Sequence, residues 1–146
     1  MTEPIIGIIA GAGPFAGLDL ATKILEQTDA SCDQEYLPMV SVSTPGEIED
    51  RTRYLLGESE ENPAYALATN FLDLQRMNAK VIGMPCNTAH AAPILEVFHP
   101  PIHCFDLNLS IFHRVQQGTA CLADYWLINN TALASICAVV SLPSPN

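Results

Sequence analysis

The chain has 146 residues and a formal net charge of −10, and 49% of its residues are hydrophobic. This length suits one domain with a sizeable core, and the hydrophobic content argues against wholesale disorder. Because only six residues are Lys or Arg, the composition disfavours nucleic acid and anionic membrane surfaces as partners, which both bind clustered cations.

The cysteines and the N-terminus indicate the compartment. Five cysteines are an odd number, and none has CxxC spacing, which argues against a disulfide framework and against a structural zinc site. The first residues, MTEPIIGIIAGAG, lack the basic region of a signal peptide. We therefore expect a reduced, cytoplasmic protein.

The first half of the chain predicts two strands with a helix between them. An apolar run at 5–10 is typical of a strand buried on both faces, and Pro14 suits the start of a helix over 15–27. A second strand is predicted at 37–43. It is followed by a polar loop, TPGEIEDRT, at 44–52.

The pattern then continues with further helices and strands. Apolar spacing predicts a helix at 64–77, a strand at 80–84, a helix over roughly 89–98, a strand at 101–105 and a helix at 106–118. Alternation of this kind predicts an α/β fold: a three-layer structure around a parallel sheet of about four strands.

The three most unusual segments each follow a predicted strand. AGAGP follows the first, TPGEIEDRT the second and PCNTAH the third. Ligands of open parallel sheets bind beyond the carboxyl ends of the strands. The sequence therefore predicts that these three loops meet and form a site.

Cys86 lies between a predicted strand and a predicted helix. A helix N-terminus stabilises a thiolate, and Asn87 and Thr88 are residue types that either cap a helix or donate to a carboxylate. A buried structural cysteine with an ordinary cap fits the same spacing. His90 either pairs with the thiol or is an unrelated side chain.

Arg51 and Arg53 lie in the second loop, within an acidic stretch. Arginine binds carboxylates in a bidentate manner, so either residue is a candidate ligand for an acidic substrate. A surface ion pair with a neighbouring acid is the alternative for each.

The glycine-rich turn matches the dinucleotide pattern G-x-G-x-x-[G/A] at Gly11, Gly13 and Ala16. That fingerprint expects an acid at the end of the second strand, where this chain has Ser43, Thr44 and Pro45 instead. We therefore interpret the glycines, Gly13 among them, as giving a small anionic ligand access to the backbone.

The last residues, 115–146, differ from the rest. They contain one charged residue, Asp124, and their apolar run at 127–142 is shorter than the roughly 20 residues that span a membrane. We assign one α/β domain to 1–114 and a divergent apolar tail, with no domain of its own, to 115–146.

Four segments of the chain resemble the aspartate/glutamate racemase family, and more closely its aspartate racemase branch. The resemblance spans about residues 4 to 113 and rests on AGAGP (10–14), DQEYLP (33–38), EDRTRYLLG (49–57) and MPCNTAH (84–90). It implies a two-domain α/β architecture with the site in the cleft between the domains, and an isomerase without pyridoxal phosphate, metal or other cofactor.

The resemblance also implies roles for individual residues. Two cysteines on opposite faces of the substrate exchange the α-proton in this family, and Cys86 matches the first of them. Asn87, Thr88 and Ala89 match the segment that contacts the substrate, and Arg51 matches an arginine suited to its carboxylate.

The chain also departs from the family pattern. Nothing in it matches the second cysteine motif, which is similar to Gly-Cys-Thr-Glu, because Cys121 and Cys137 lie in the divergent tail; Ala10 replaces the first glycine of the turn. We interpret the chain as the first half of a racemase, truncated or frame-shifted near Gly118. Its exposed apolar face would favour a homodimer or aggregation.

Three functions remain open from the sequence. The first is a cofactor-independent racemase of an acidic amino acid, with aspartate as the expected substrate. The second is a non-catalytic remnant that binds a small carboxylate. The third is a dinucleotide-binding module, which the missing acid after the second strand disfavours.

Overall fold

The computed structural model describes residues 5–96 and 139–141. In these residues the strands are β1 (Ile5–Ile9), β2 (Met39–Val42), β3 (Ala79–Gly83) and β4 (Val139–Ser141). The α-helices are α1 (Pro14–Gln27), α2 (Arg51–Leu55), α3 (Ala64–Arg76) and α4 (Ala92–Leu95). The predicted strand at 101–105 and helix at 106–118 lie outside the described residues.

The strands form one sheet in the order β2-β1-β3-β4. β1 lies between β2 and β3 and pairs in parallel with both, with Ile8 opposite Ser41 on one side and opposite Gly83 on the other. The prediction of an α/β fold built on parallel strands is therefore confirmed. β4 differs, because it pairs antiparallel with β3 and comes from the tail, in which we predicted no strand.

The central position of β1 explains its composition. Ile6, Ile8 and Ile9 are all buried, although neighbouring residues of a strand point to opposite faces. A strand covered on both faces shows a continuous apolar run in place of alternation, as IIGII does here.

The two faces of the sheet are covered by different helices. A Cβ atom at Gly7 would lie 3.2 Å from a Leu74 methyl group of α3, and one at Gly83 would lie 3.0 Å from a Leu20 methyl group of α1. Gly83 pairs with Ile8, which points away from the face of Gly7. Helices α1 and α3 therefore lie on opposite faces, and the predicted three layers are present.

The two long helices follow the predicted spacing. α1 starts at Pro14, a position that tolerates proline because an N–H group there would have no acceptor within the helix. The helix buries Leu20 and Ile24 against the sheet. α3 buries a stripe with the i, i+3, i+4, i+7 spacing of an amphipathic helix, which consists of Leu67, Asn70, Phe71 and Leu74. None of the helices in the described part of the chain is both long and apolar enough to cross a bilayer.

Packing of α1 on β1 depends on Gly17. A Cβ atom at this position would lie 2.3 Å from the Cβ and 2.9 Å from the Cα of Ala10, which directly follows β1. No side chain fits there unless the helix moves away from the strand, so Gly17 sets how closely the first turns of α1 approach the sheet.

We therefore expect Gly17→Ala to lower the free energy of unfolding by about 1–3 kcal/mol, although alanine normally favours a helix, because overpacking opposes that gain. Gly46→Ala is the matched control: nothing lies within 4 Å of a Cβ atom there, so its effect should stay within about 0.5 kcal/mol. Urea unfolding followed by circular dichroism measures both. Equal midpoints for the two variants would contradict this account of the packing.

Candidate active site

Three loops follow the parallel strands at the carboxyl edge of the sheet: the first loop (10–13), the second loop (43–50) and the third loop (84–91). A Cβ atom at Gly11 would lie 2.8 Å from the backbone nitrogen of Thr44, and one at Gly13 would lie 3.8 Å from the Pro85 carbonyl oxygen. The first loop therefore contacts both of the others, and the predicted meeting of the three loops is present.

The two glycines of the first loop serve different purposes. The space at Gly11 is filled by Thr44 and by Ile48, whose Cδ1 would also lie 2.8 Å from a Cβ atom. Gly11 thus allows two stretches of backbone to approach each other, and our interpretation that it opens the backbone to a ligand is wrong there. Gly13 makes only ordinary contacts, so its role in substrate binding stays a prediction.

The second loop ends in a helix, α2, that we did not predict from the sequence. The Asp50 carboxylate accepts hydrogen bonds from the backbone N–H groups of Thr52 (2.8 Å) and Arg53 (2.9 Å), and so caps α2. The bond from Arg53 is the main cause of the lowered pKa of Asp50. We had predicted a loop through residue 52, although an Asp followed by a short run with apolar residues is a helix-start signal.

The two arginines of α2 have different partners. Arg53 forms the surface ion pair that was its alternative interpretation, with Glu49 at 3.5 Å. Arg51 instead reaches the first loop, where its Nη2 donates a hydrogen bond to the Ala12 carbonyl at 2.6 Å. Its Nε atom is buried and has no hydrogen-bond partner within the described residues. The side chain therefore joins two loops and keeps a donor free.

Cys86 is half-buried and packs against the core cluster beneath the loops, which includes Ala12, Met84 and Ala89. Its backbone N–H donates to the Met84 carbonyl at 3.0 Å, across Pro85. Its sulfur lies 3.4 Å from the Thr88 hydroxyl oxygen. Thr88 is thus close enough to exchange a hydrogen bond with the sulfur.

The helix predicted at 89–98 is not continuous. A 3₁₀ turn (Thr88–His90) follows Cys86, the backbone becomes extended at Ala91, and α4 then begins with Pro93 in its first turn. The reason is Pro93, whose ring would collide with the carbonyl of Ala89 in an unbroken helix. The long helix dipole that we expected at Cys86 is therefore absent from the described residues.

The 3₁₀ turn nevertheless presents unpaired donors. The backbone N–H groups of Asn87, Thr88 and Ala89 donate to no acceptor in the part of the chain that the structure describes, and the Asn87 side chain makes no capping bond. Three neighbouring N–H groups directly after Cys86 are suited to receive a carboxylate.

His90 does not pair with the thiol. Its Nδ1 lies 2.5 Å from the carbonyl oxygen of Cys86. Because a carbonyl only accepts hydrogen bonds, Nδ1 carries the proton. Burial lowers the pKa of His90 below its ordinary value, so the ring is neutral near pH 7 and Nε2 holds a lone pair.

A buried polar pair behind the second loop was not predicted from the sequence. The Asn70 side chain on α3 is only 2% exposed, and its Nδ2 donates to the Thr44 hydroxyl at 2.9 Å. No local pattern indicates this contact across the sequence. The position of Asn70 on the apolar stripe of α3, however, was a signal that a buried partner exists.

The described residues offer few groups for a cofactor. Lys23 forms an ion pair with Asp19 on the outer part of α1, and Lys80 is exposed on β3. No group of three His, Cys, Asp or Glu side chains in the described ranges could hold a metal ion. Besides backbone N–H groups, the three loops and the start of α2 carry one thiol, hydroxyl and amide groups, the His90 imidazole, the Arg51 guanidinium and the carboxylates of Glu47, Glu49 and Asp50.

Comparison with solved structures shows what the chain is similar to. No protein-family model matches the sequence. The chain is similar to the solved structure of the aspartate racemase of Picrophilus torridus, with 36% sequence identity and a TM-score of 0.55. The match covers 60% of this chain and 37% of the racemase, so this chain spans little more than a third of that protein. The resemblance to the aspartate racemase branch of the aspartate/glutamate racemase family is thus confirmed over the part that the match covers.

Proposed function

We propose that this chain supplies the Cys86 half of a cofactor-independent racemase site for an acidic amino acid, with aspartate as the first substrate to test. The position of Cys86 carries the proposal: the thiol is half-buried at the carboxyl edge of the sheet, beside Thr88 and next to the loop that Arg51 contacts. The similarity to an aspartate racemase at 36% identity supports the substrate class.

The proposed chemistry uses each of these groups. The Cys86 thiolate removes the α-proton of the bound amino acid, and the Thr88 hydroxyl at 3.4 Å stabilises the thiolate by donating a hydrogen bond to it. The negative charge that develops next to the α-carboxylate is stabilised by the N–H groups of Asn87, Thr88 and Ala89. Arg51 pairs with a carboxylate through the donors that Ala12 does not use.

Inversion requires a proton donor on the opposite face of the substrate, since a single base tends to return the proton to the face it left. Cys32 is the other cysteine in the described residues, and it is exposed. It lies between α1 and β2, at the edge of the sheet opposite to Cys86. It is therefore unsuited to be the second acid, and Cys86 provides one half of the reaction.

A carboxylate-binding remnant without catalysis is the second candidate. The unpaired N–H groups and Arg51 would serve it equally, because neither requires a reactive thiol. Dinucleotide binding has less support, because Thr44 and Ile48 fill the space at Gly11 in the glycine pattern.

We expect the chain to exchange the α-proton of aspartate for deuterium in D₂O. Cys86→Ser should abolish that exchange, because a serine hydroxyl is a far weaker acid than a thiol and does not form the anion that removes the proton. Cys32→Ser is the matched control and should exchange at the wild-type rate. Proton NMR of L- and D-aspartate measures both the exchange and the configuration.

Each outcome has a distinct meaning. Exchange with retention of configuration supports a half-site. Exchange with inversion means that a second acid is present and contradicts the half-site proposal. No exchange in a folded chain excludes catalysis by Cys86 and leaves the carboxylate-binding remnant.

Arg51→Ala should weaken aspartate binding by about 10- to 100-fold, the range expected when a hydrogen bond to a charged group is lost. Arg53→Ala is the control two residues along the chain, and should leave the affinity unchanged because Arg53 pairs with Glu49 at the surface. An NMR titration with L-aspartate measures both affinities. Equal losses in the two variants would mean that Arg51 acts only through net charge.

A further inference from the structure

The imidazole of His90 binds the carbonyl oxygen of Cys86, which in a regular turn or helix would accept a hydrogen bond from a backbone N–H. In a 3₁₀ turn the Cys86 carbonyl would accept from the Ala89 N–H, and in an α-helix it would accept from the His90 N–H. Here the His90 N–H donates to the Asn87 carbonyl at 3.0 Å, and the Ala89 N–H has no acceptor in the described part of the chain. The Cys86 carbonyl is bound by the ring instead.

We propose that His90 is a positioning residue for Cys86: by holding the Cys86 carbonyl, its Nδ1–H keeps the thiol half-buried beside Thr88 and leaves the Ala89 N–H unpaired, next to the unpaired N–H groups of Asn87 and Thr88. The use of those N–H groups for a substrate carboxylate rests on the proposed function. The positioning of Cys86 does not, because it follows from the contacts of the ring alone.

The other ring nitrogen supports a role beyond stability. The Nε2 atom is buried and has no hydrogen-bond partner within the described residues. A buried acceptor without a donor destabilises a fold, so an apolar ring would be better tolerated if His90 served only to fill space. Burial also keeps the ring neutral, which leaves Nδ1 as its single donor near pH 7.

The test compares the rate at which iodoacetamide alkylates Cys86 in variants of His90, with Cys32 as an exposed reference thiol in the same molecule. Peptide mass spectrometry resolves the two cysteines. The amide nitrogen of asparagine superimposes on Nδ1 of histidine, so His90→Asn keeps the donor, whereas His90→Leu removes it.

We expect His90→Leu to raise the alkylation rate of Cys86 by about fivefold, which corresponds to about 1 kcal/mol, the usual net contribution of one hydrogen bond, because the freed turn opens more often. His90→Asn should keep the wild-type rate. The rate at Cys32 should be unchanged in both variants.

If the Cys86 rate rose as much in His90→Asn as in His90→Leu, it would follow a general loss of stability and not the loss of the Nδ1 donor; that result would overturn the proposal, as would an unchanged Cys86 rate in His90→Leu. If His90→Leu fails to fold by circular dichroism, His90→Gln replaces it, because its amide nitrogen matches Nε2 and not Nδ1. Iodoacetamide requires no amino acid substrate, so a failure of the racemase proposal would leave this result intact.

Discussion

The parallel pairing of β1 with both β2 and β3 is the constraint on which the site depends. Parallel neighbours end at the same edge of a sheet, so the loops that follow all three strands meet there whatever their sequences. The buried isoleucines of β1 hold this arrangement from both faces. What the loop sequences decide is how closely the three segments approach and which side chains they leave at the edge.

The loops approach closely because Gly11 has no side chain and because the long side chain of Arg51 reaches from α2 to the first loop. Gly11 brings the first loop against the backbone of Thr44, and Arg51 returns from α2 to bind the Ala12 carbonyl. The first loop is thus held by the second through packing and through a charged donor. This leaves Gly13, which faces the third loop, as the glycine of that turn with room beside it.

Local patterns predicted most of the helices and strands. Features that depend on contacts between distant residues were not predicted. The apolar run of β1, the spacing of α3 and Pro14 at the start of α1 are local signals, and the structure contains all three elements. The break after His90 was predictable from Pro93, because a proline ring collides with the carbonyl four residues earlier in a helix. The bond between Asn70 and Thr44 joins residues that no local pattern relates. The hydrogen bond from the His90 ring to the Cys86 carbonyl depends on the conformation of the 3₁₀ turn, which no local pattern predicts.

Among the described strands, β2 lies at one end of the sheet, and this position has a consequence for self-association. An edge strand exposes N–H and C=O groups that can template pairing with another chain, and long apolar edges are therefore aggregation sites. β2 has four residues, and Ser41 within it is exposed. With alternate residues facing outward, such a strand offers about two donors and two acceptors, fewer than the six- or seven-residue segments that build amyloid. Its short length thus limits β-sheet aggregation at this edge.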